Sequence, residues 1–487
     1  MRHLWAFLAV ALPVLAALVA ALPATDLTYH LRAGEEILTA GRIPTTDSWT
    51  FTIAGEPWFD QQWGAQLILA TVYRLGGWLG LVVFRATLVG LIAATVFEMC
   101  RRQGTGIRGA ALLALGAFAV AAPALALRPQ LIAMALFALT LLLVTDREAH
   151  ARRLWLIPLI GLVWANVHGS FFLAPLVLLL AWIADMEERS SRRHLALGVA
   201  VATAVACCLT PYGPIVWLYA AQLGANPAVT GQISEWQPTS IRAIEGILFY
   251  GSALLAAAYL ARRGRPTPWA TLLWLGVFFA IGAYAARGIA WWPLAAVAAL
   301  APLIGADRPA AVEAEREEPQ AMRLLNAVVA GAIVFAGIAL LPVWRPTDPD
   351  LGVPEGVLTQ APPAITAALR DAAAPGDRLL APQPWASWFE FAMPDLPVAV
   401  DSRVEIFPDE VWDDYFAVTR GGDGWRDVLA RWSPALVVAE DPAFAERLVA
   451  EGWTTLYSDA DGAVLRAPGT GPSASGSRST ALLESAR

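Results

Sequence analysis

"MRHLWAFLAVALPVLAALVAALPATDLTYHLRAGEEIL", residues 1–38, is apolar from residue 4 to residue 22 and then carries Asp26, His30, Arg32, Glu35 and Glu36 in quick succession. A run of that length and composition spans the hydrocarbon core of a bilayer as a helix. The short basic start at Arg2 also suits a signal peptide, but many apolar runs follow it. Residues 4–22 therefore read as a first span whose N-terminus stays in the cytoplasm. A water-facing loop accounts for most of the ionisable groups beyond it. Asp26 lies nearest the membrane, where a carboxylate needs a further reason.

The rest of the chain extends the pattern. It has 487 residues, of which 57% are hydrophobic and 15% charged, with mean hydropathy +0.53. That is the composition of a polytopic membrane protein. Further apolar runs occupy about 78–98, 108–125, 129–145, 154–184, 194–209, 243–260, 269–286, 289–305 and 323–342. Arg101, Arg102 and Arg108 fall in one linker, Arg147, Arg152 and Arg153 in the next, and Arg189, Arg192 and Arg193 in a third. Arg262, Arg263 and Arg265 follow, then Arg308, Arg316 and Arg323. All five linkers are cytoplasmic under the positive-inside rule only if 154–184 is a hairpin of two short helices broken at "WANVHGS", 164–170. Broken helices are tolerated where they face protein or a water-filled cavity. The expected fold class is an all-α polytopic membrane bundle of about eleven transmembrane helices, with a small C-terminal extracytoplasmic α/β domain.

Within residues 1–343, that topology leaves two long outer loops, 23–77 and 210–242. Residues 344–360, "WRPTDPDLGVPEGVLTQ", form a linker, 361–467 a soluble domain alternating helix and strand signals, and 468–487 a Gly/Ser-rich disordered tail. In the soluble domain, Asp441 before Pro442 reads as an N-cap, and Asp461-Gly462 as the turn of a hairpin.

Several chemistries are excluded. The chain has no lysine, so a Walker A phosphate loop and a Schiff-base mechanism are both ruled out. Net charge is −7 and the arginines sit in small juxtamembrane groups, which suit anionic membrane lipids but leave no nucleic-acid footprint. Cys100, Cys207 and Cys208 fall at or within membrane segments and indicate neither a disulfide framework nor a thiolate metal site.

Charges at membrane depth need a partner, a headgroup or a substrate. Under this topology, several polar groups gather on the outer side. They are Asp26; Asp60 in "WFDQQW"; Arg128 in the tight turn "ALRPQ"; Asn166 and His168 at the hairpin break; Glu235 in "ISEWQP"; and Arg287 in "YAARGIAWW". Each has a plain alternative: Asp26 as a helix-terminal acid, the arginines as lipid-snorkelling residues, His168 as a packed core histidine. Arg403, flanked in "DSRVE" by Asp401 and Glu405, reads as a local ion pair.

An Asp just outside the first span, a long outer loop, tight outer turns bearing Arg and a soluble outer domain resemble the GT-C superfamily, integral-membrane glycosyltransferases that use polyprenyl-phosphate-linked sugars. "DLTYHLRAGEEILTAGRIPTTDSWTFTIAGEPWFDQQW", "WANVHGSF", "CLTPYG" and "ISEWQP" also resemble a bacterial group of membrane proteins placed near them. The resemblance implies an enzyme of the bacterial cytoplasmic membrane. It would take a polyprenyl-phosphate sugar donor and a glycan, lipid or protein acceptor on the outer face. It places the catalytic acid at Asp26, with Asp60 or Glu235 as a second acid and His30, Asn166 and His168 as cavity polar groups. Asp26 is followed by Leu27, where many members carry a second acid, which leaves a divalent metal ion open. The Trp-Trp-Asp signature of oligosaccharyltransferases is absent from the soluble domain.

The residue types suit such chemistry. An attacking hydroxyl needs a carboxylate to take its proton, the role of Asp26. A leaving phosphate needs positive charge, the role of Arg128 and Arg287. A membrane transporter or a non-catalytic assembly protein for envelope polysaccharide also fits a polar-lined bundle, although no inverted repeat relates 23–77 to 210–242. The topology is testable by reporter fusions. Those after Arg153 and Arg193 should report cytoplasm and one after Pro349 the outer face. Cytoplasmic signal at Pro349 inverts the orientation.

Overall fold

The computed structural model describes residues 2–190, 192–223, 234–308 and 319–469. Its contacts divide the chain into two compact units. The first comprises Met1–Leu22, Ala33–Arg42 and Asp60–Arg345, and the second Pro23–Arg32, Ile43–Phe59 and Pro346–Arg487. The division runs through the stretch 23–77, which the sequence presents as one outer loop. From residue 470 on, the expected disordered tail lies outside the described residues, as do 224–233 of the second outer loop.

The first unit is helical. After α1 (Arg2–Val19) and α2 (Ala24–Ala40), whose last turns belong here, comes α3 (Trp63–Arg102). At Gly77, φ is 54° and ψ −148°, a conformation that only glycine adopts without strain. It separates a short helix of mixed character from an apolar one of bilayer length. Then follow α4 (Ile107–Ala121), α5 (Pro129–Thr145), α6 (Ile157–Ala165), α7 (Leu173–Glu187) and α8 (Arg193–Ala206). The remaining helices are α9 (Ile215–Leu223), α10 (Ile244–Arg262), α11 (Trp269–Tyr284), α12 (Trp292–Ala306) and α13 (Gln320–Ala339). Among the described residues, six helices are long and apolar enough to cross a membrane, and four shorter apolar helices accompany them.

Polar groups join this apolar bundle at particular points. Arg85, in α3, is 2% exposed. Its guanidinium donates to the Ala17 carbonyl at 2.6 Å, to that of Ala21 at 2.7 Å, and to that of Ala20. It thereby satisfies carbonyls that the C-terminus of α1 leaves orphaned, at the end where the helix dipole favours a cation. Helices α6 and α8 approach closely at Gly161, where an added Cβ would fall 2.7 Å from Cγ2 of Thr203. Small residues of this kind let membrane helices pack backbone to backbone.

The second unit contains a four-stranded sheet: β1 (Leu379–Leu380), β2 (Leu436–Ala439), β3 (Thr454–Ser458) and β4 (Ala463–Arg466), in the order β1-β2-β4-β3. β1 runs parallel to β2, and the other pairings are antiparallel. Helices α14 (Pro363–Ala372), α15 (Gln383–Ala392), α16 (Asp409–Arg420), α17 (Trp425–Trp432) and α18 (Pro442–Ala450) complete it. Asp441 caps α18, accepting from the Ala443 amide at 2.9 Å. Two pieces of the early chain belong here. Phe51 N–H donates to Val398 O at 3.0 Å and Val398 N–H to Trp49 O at 3.2 Å, so residues 49–51 pair with the segment that in turn pairs with β1.

Side chains lock that pairing. Arg403 is 1% exposed, bonded to Asp47 and to Asp401 at 2.5 Å each. Its guanidinium stands 4.1 Å from the ring centre of Trp49 and 4.6 Å from that of Trp58. The expected local pair with Asp401 is present, and its second carboxylate comes from Asp47, far away in sequence. Beside them Glu390, in α15, is fully buried, and among the described residues no hydrogen-bond donor reaches either carboxylate oxygen. Burial first, and then the charge of Asp401, raise its carboxyl well above the ordinary value, against the opposing charges of Arg403 and Arg32. Both effects favour the protonated form of Glu390.

An acid held protonated in the folded state makes stability fall with pH, because above about pH 4.3 the unfolded chain releases the proton that the native state retains. This contribution is fully present below the unfolded value and is lost as pH rises through the folded one. Glu390→Gln removes that titration. Melts of the purified protein from about pH 4 to about pH 8 should show the variant gaining on wild type as pH rises. Parallel curves would show that Glu390 is ionised.

Candidate functional site

Three interruptions of helix converge in the first unit. One is the start of α5, where Arg128 is extended (φ −138°, ψ 167°) and Pro129 opens the helix. Pro disfavours the α conformation in the residue before it and is itself preorganised for the first helical position. The second is the short 3-10 helix Ala286–Ala290 between α11 and α12, and the third the 3-10 turn Ser234–Trp236. Hydrogen bonds to backbone carbonyls stitch them together. Gln130 Nε2 donates to Arg287 O at 3.3 Å and Ala286 N–H to Gln237 O at 3.0 Å.

This stitching brings three of the candidate residues together. Arg128 Nη1 donates to Glu235 Oε1 at 2.7 Å. The Arg287 guanidinium lies over the Trp236 ring, 5.4 Å from its centre, in cation–π range. Burial pushes the Glu235 carboxyl up, but the charges of Arg128 and Arg287 outweigh it and hold the group below its ordinary value. Glu235 is an anion between two cations.

A second cluster surrounds the break between α6 and α7. Asn166 Oδ1 accepts from Trp63 Nε1 at 3.0 Å, and its Nδ2 donates to Leu162 O at 2.9 Å and Leu209 O at 3.2 Å. Gln61 Nε2 donates to Ala165 O at 2.7 Å, and Gly64 N–H to Asn166 O at 2.9 Å. These bonds serve carbonyls that the end of α6 leaves free. His168 Nδ1 accepts from Ser170 N–H at 3.2 Å and meets Ser170 Oγ at 2.7 Å. A neutral His168 therefore carries its proton on Nε2. Its ring centre lies 6.5 Å from that of Trp291, just past Arg287. Asp60 is buried and accepts from Gln66 Nε2 at 2.7 Å through Oδ1. Burial, followed by the charge of Asp60, pushes the Tyr212 hydroxyl up. Asp60 thus sits among groups that fix the loop to α3.

Asp26 and His30 belong to the second unit. Both are on α2, four residues apart and so on one helical face, with Asp26 in the first turn. Asp26 is half-buried and His30 buried. The turn is anchored by its neighbour Thr25, whose Oγ1 donates to Pro384 O at 3.0 Å and whose carbonyl accepts from Ser402 Oγ at 2.8 Å.

Among the described residues, no group of three or more His, Cys, Asp or Glu is placed to hold a metal ion, and no step below is assigned to one. The sequence did carry a signal for one residue not singled out from it. Arg85 is a lone arginine in the middle of the 78–98 run, which is reason enough to expect a function or a buried partner. Gln130 and Trp236, polar and aromatic neighbours of the candidate arginines, carry no such signal.

No protein-family model and no curated protein matches the chain. Its fold is shared with solved membrane proteins. One is the archaeal oligosaccharyltransferase AglB from Archaeoglobus fulgidus, in complex with an inhibitory peptide and a dolichol-phosphate. It is matched at a TM-score of 0.56 and 13% identity over 90% of this chain and 69% of that one. Another is ArnT from Cupriavidus metallidurans in the apo state, at a TM-score of 0.51 and 17% identity over 94% of this chain and 96% of that one. At these identities the likeness is one of fold.

Proposed function

We propose that the chain transfers a sugar from a polyprenyl-phosphate-linked donor to an envelope glycan, lipid or protein acceptor on the outer face of a bacterial cytoplasmic membrane. The observation that carries this reading is the pair Arg128 and Arg287. Two guanidinium groups come from two helix breaks: Arg128 is bonded to Glu235, and Arg287, over the neighbouring Trp236 ring, adds its charge to the same carboxylate. Such a pair suits a phosphate esterified to a long apolar chain, and AglB, of the same fold, has been solved with a dolichol-phosphate. Eleven spans follow if α1, the second part of α3, α4 to α8 and α10 to α13 each cross the bilayer. The α/β domain is then outside, as an accessory module for acceptor recognition or assembly.

In this mechanism the acceptor hydroxyl loses its proton to Asp26 as its oxygen attacks the anomeric carbon. The bond from that carbon to the phosphate oxygen breaks, and Arg128 and Arg287 stabilise the phosphate that leaves. Asp60 and Glu235 are the other carboxylates open to a part in the site. His30 shares the face of Asp26, while Asn166 and His168 shape the polar end of the bundle.

Asp26→Asn separates this reading from a helix-terminal role. Asn still serves a helix start, whereas it cannot take a proton as a carboxylate does. Loss of a general base should lower turnover by roughly 10²–10⁴-fold. The measurement is sugar transfer from polyprenyl-phosphate sugars by wild type and variant with matched melts. Equal rates would remove Asp26 from the chemistry.

A further inference from the structure

The contacts of Glu235 suit a role other than that of a second catalytic acid. Its carboxylate is bonded to Arg128 at 2.7 Å and lies within the field of Arg287, the two groups assigned above to the donor's phosphate. An anion that sits on the phosphate's own ligands competes with it. The bonds from the Gln130 side chain to the Arg287 carbonyl and from the Ala286 amide to the Gln237 carbonyl do not involve the Glu235 side chain. The two breaks therefore stay joined when the carboxylate moves. That side chain is also 39% exposed, so it can turn towards water. A half-exposed ion pair is weakly held, whereas a phosphate brings more charge and oxygens that match the guanidinium fork.

We propose that Glu235 is an internal counter-ion that competes with the donor's phosphate for Arg128 and Arg287 and is displaced when the donor binds. This rests on the reading of those arginines as the phosphate-binding pair. The carboxylate sets a threshold for occupancy. A small anion has only its charge to offer against Glu235, whereas a phosphate on an isoprenoid chain adds the burial of that chain in the bundle. Glu235 thus keeps free phosphate off the arginines at concentrations where lipid-linked phosphate still binds, at a cost in affinity for both.

The test is equilibrium binding to the full-length protein in detergent, with farnesyl phosphate, farnesol and inorganic phosphate as probes. Wild type is compared with Glu235→Gln and Arg128→Gln, each checked by melt. Glu235→Gln should bind farnesyl phosphate roughly threefold to tenfold tighter than wild type, the range expected for removing one half-exposed ion-pair competitor. It should also gain affinity for inorganic phosphate and leave farnesol unchanged, while Arg128→Gln weakens both phosphates. Unchanged or weaker binding of farnesyl phosphate by Glu235→Gln overturns the proposal, and tightening confined to inorganic phosphate overturns the assignment of a lipid-linked ligand. If wild type and Glu235→Gln both bind farnesyl phosphate no better than farnesol, the arginine reading itself has failed. That result is distinct from a phosphate preference that Glu235→Gln leaves unaltered. Should Glu235→Gln fail to fold, Glu235→Asp draws the charge back by one methylene and tests the same direction.

Discussion

Arg403 holds a full positive charge where water does not reach, and its surroundings are arranged to make that tolerable. Two carboxylates, Asp47 and Asp401, share its guanidinium, and the rings of Trp49 and Trp58 flank it. A buried pair of this kind contributes little net stability, but breaking it strands a charge at a cost of about 3–5 kcal/mol. Its value lies in specificity: residues 43–59 cannot leave the sheet without exposing that charge. Arg32 extends the same constraint to α2, lying 4.7 Å from the centre of the Trp49 ring and donating to Glu390 O at 3.0 Å. The α/β unit thereby fixes the turn that carries Asp26.

The first unit solves a different problem. A helix that breaks inside a bilayer leaves backbone groups that hydrocarbon cannot satisfy, so each break needs its own donors and acceptors. Asn166 and Gln61 supply them after α6, Gln130 at the 3-10 helix before α12, and Arg85 at the end of α1. Once polar groups and irregular backbone are present, the cost of placing Arg128 and Arg287 nearby is lower than in a continuous apolar helix. The breaks supply the setting in which ionisable groups can be held ready.

Much of this was legible in the sequence because membrane helices announce themselves by apolar length, and their breaks by Pro, Gly and charge. The run 154–184 reads as two short helices from its basic flanks, and the structure has α6 and α7 with residues 166–172 between them. Arg128, Glu235 and Arg287 each stand out as charges in apolar or tight-turn surroundings. Their meeting did not stand out, because Arg128 and Glu235 are separated by 107 positions. The pairing of Asp47 with Arg403 spans 356 positions and was hidden for the same reason. "DSRVE" offers Arg403 a carboxylate on either side, and local spacing cannot reveal that a distant Asp takes the place of Glu405. Asp60 stands in the polar stretch "WFDQQW", yet it is buried, and its partner Gln66 lies on the next helix.

The absence of lysine links these observations. A lysine drawn into apolar surroundings readily gives up its proton, whereas a guanidinium remains charged and its planar fork engages carboxylate or phosphate with two parallel bonds. In a bundle with few polar groups, arginine is the cation whose charge does not depend on how much water reaches it. Arg128 and Arg287 therefore keep their charge beside Glu235, and together they draw its carboxyl below the ordinary value against the opposing effect of burial.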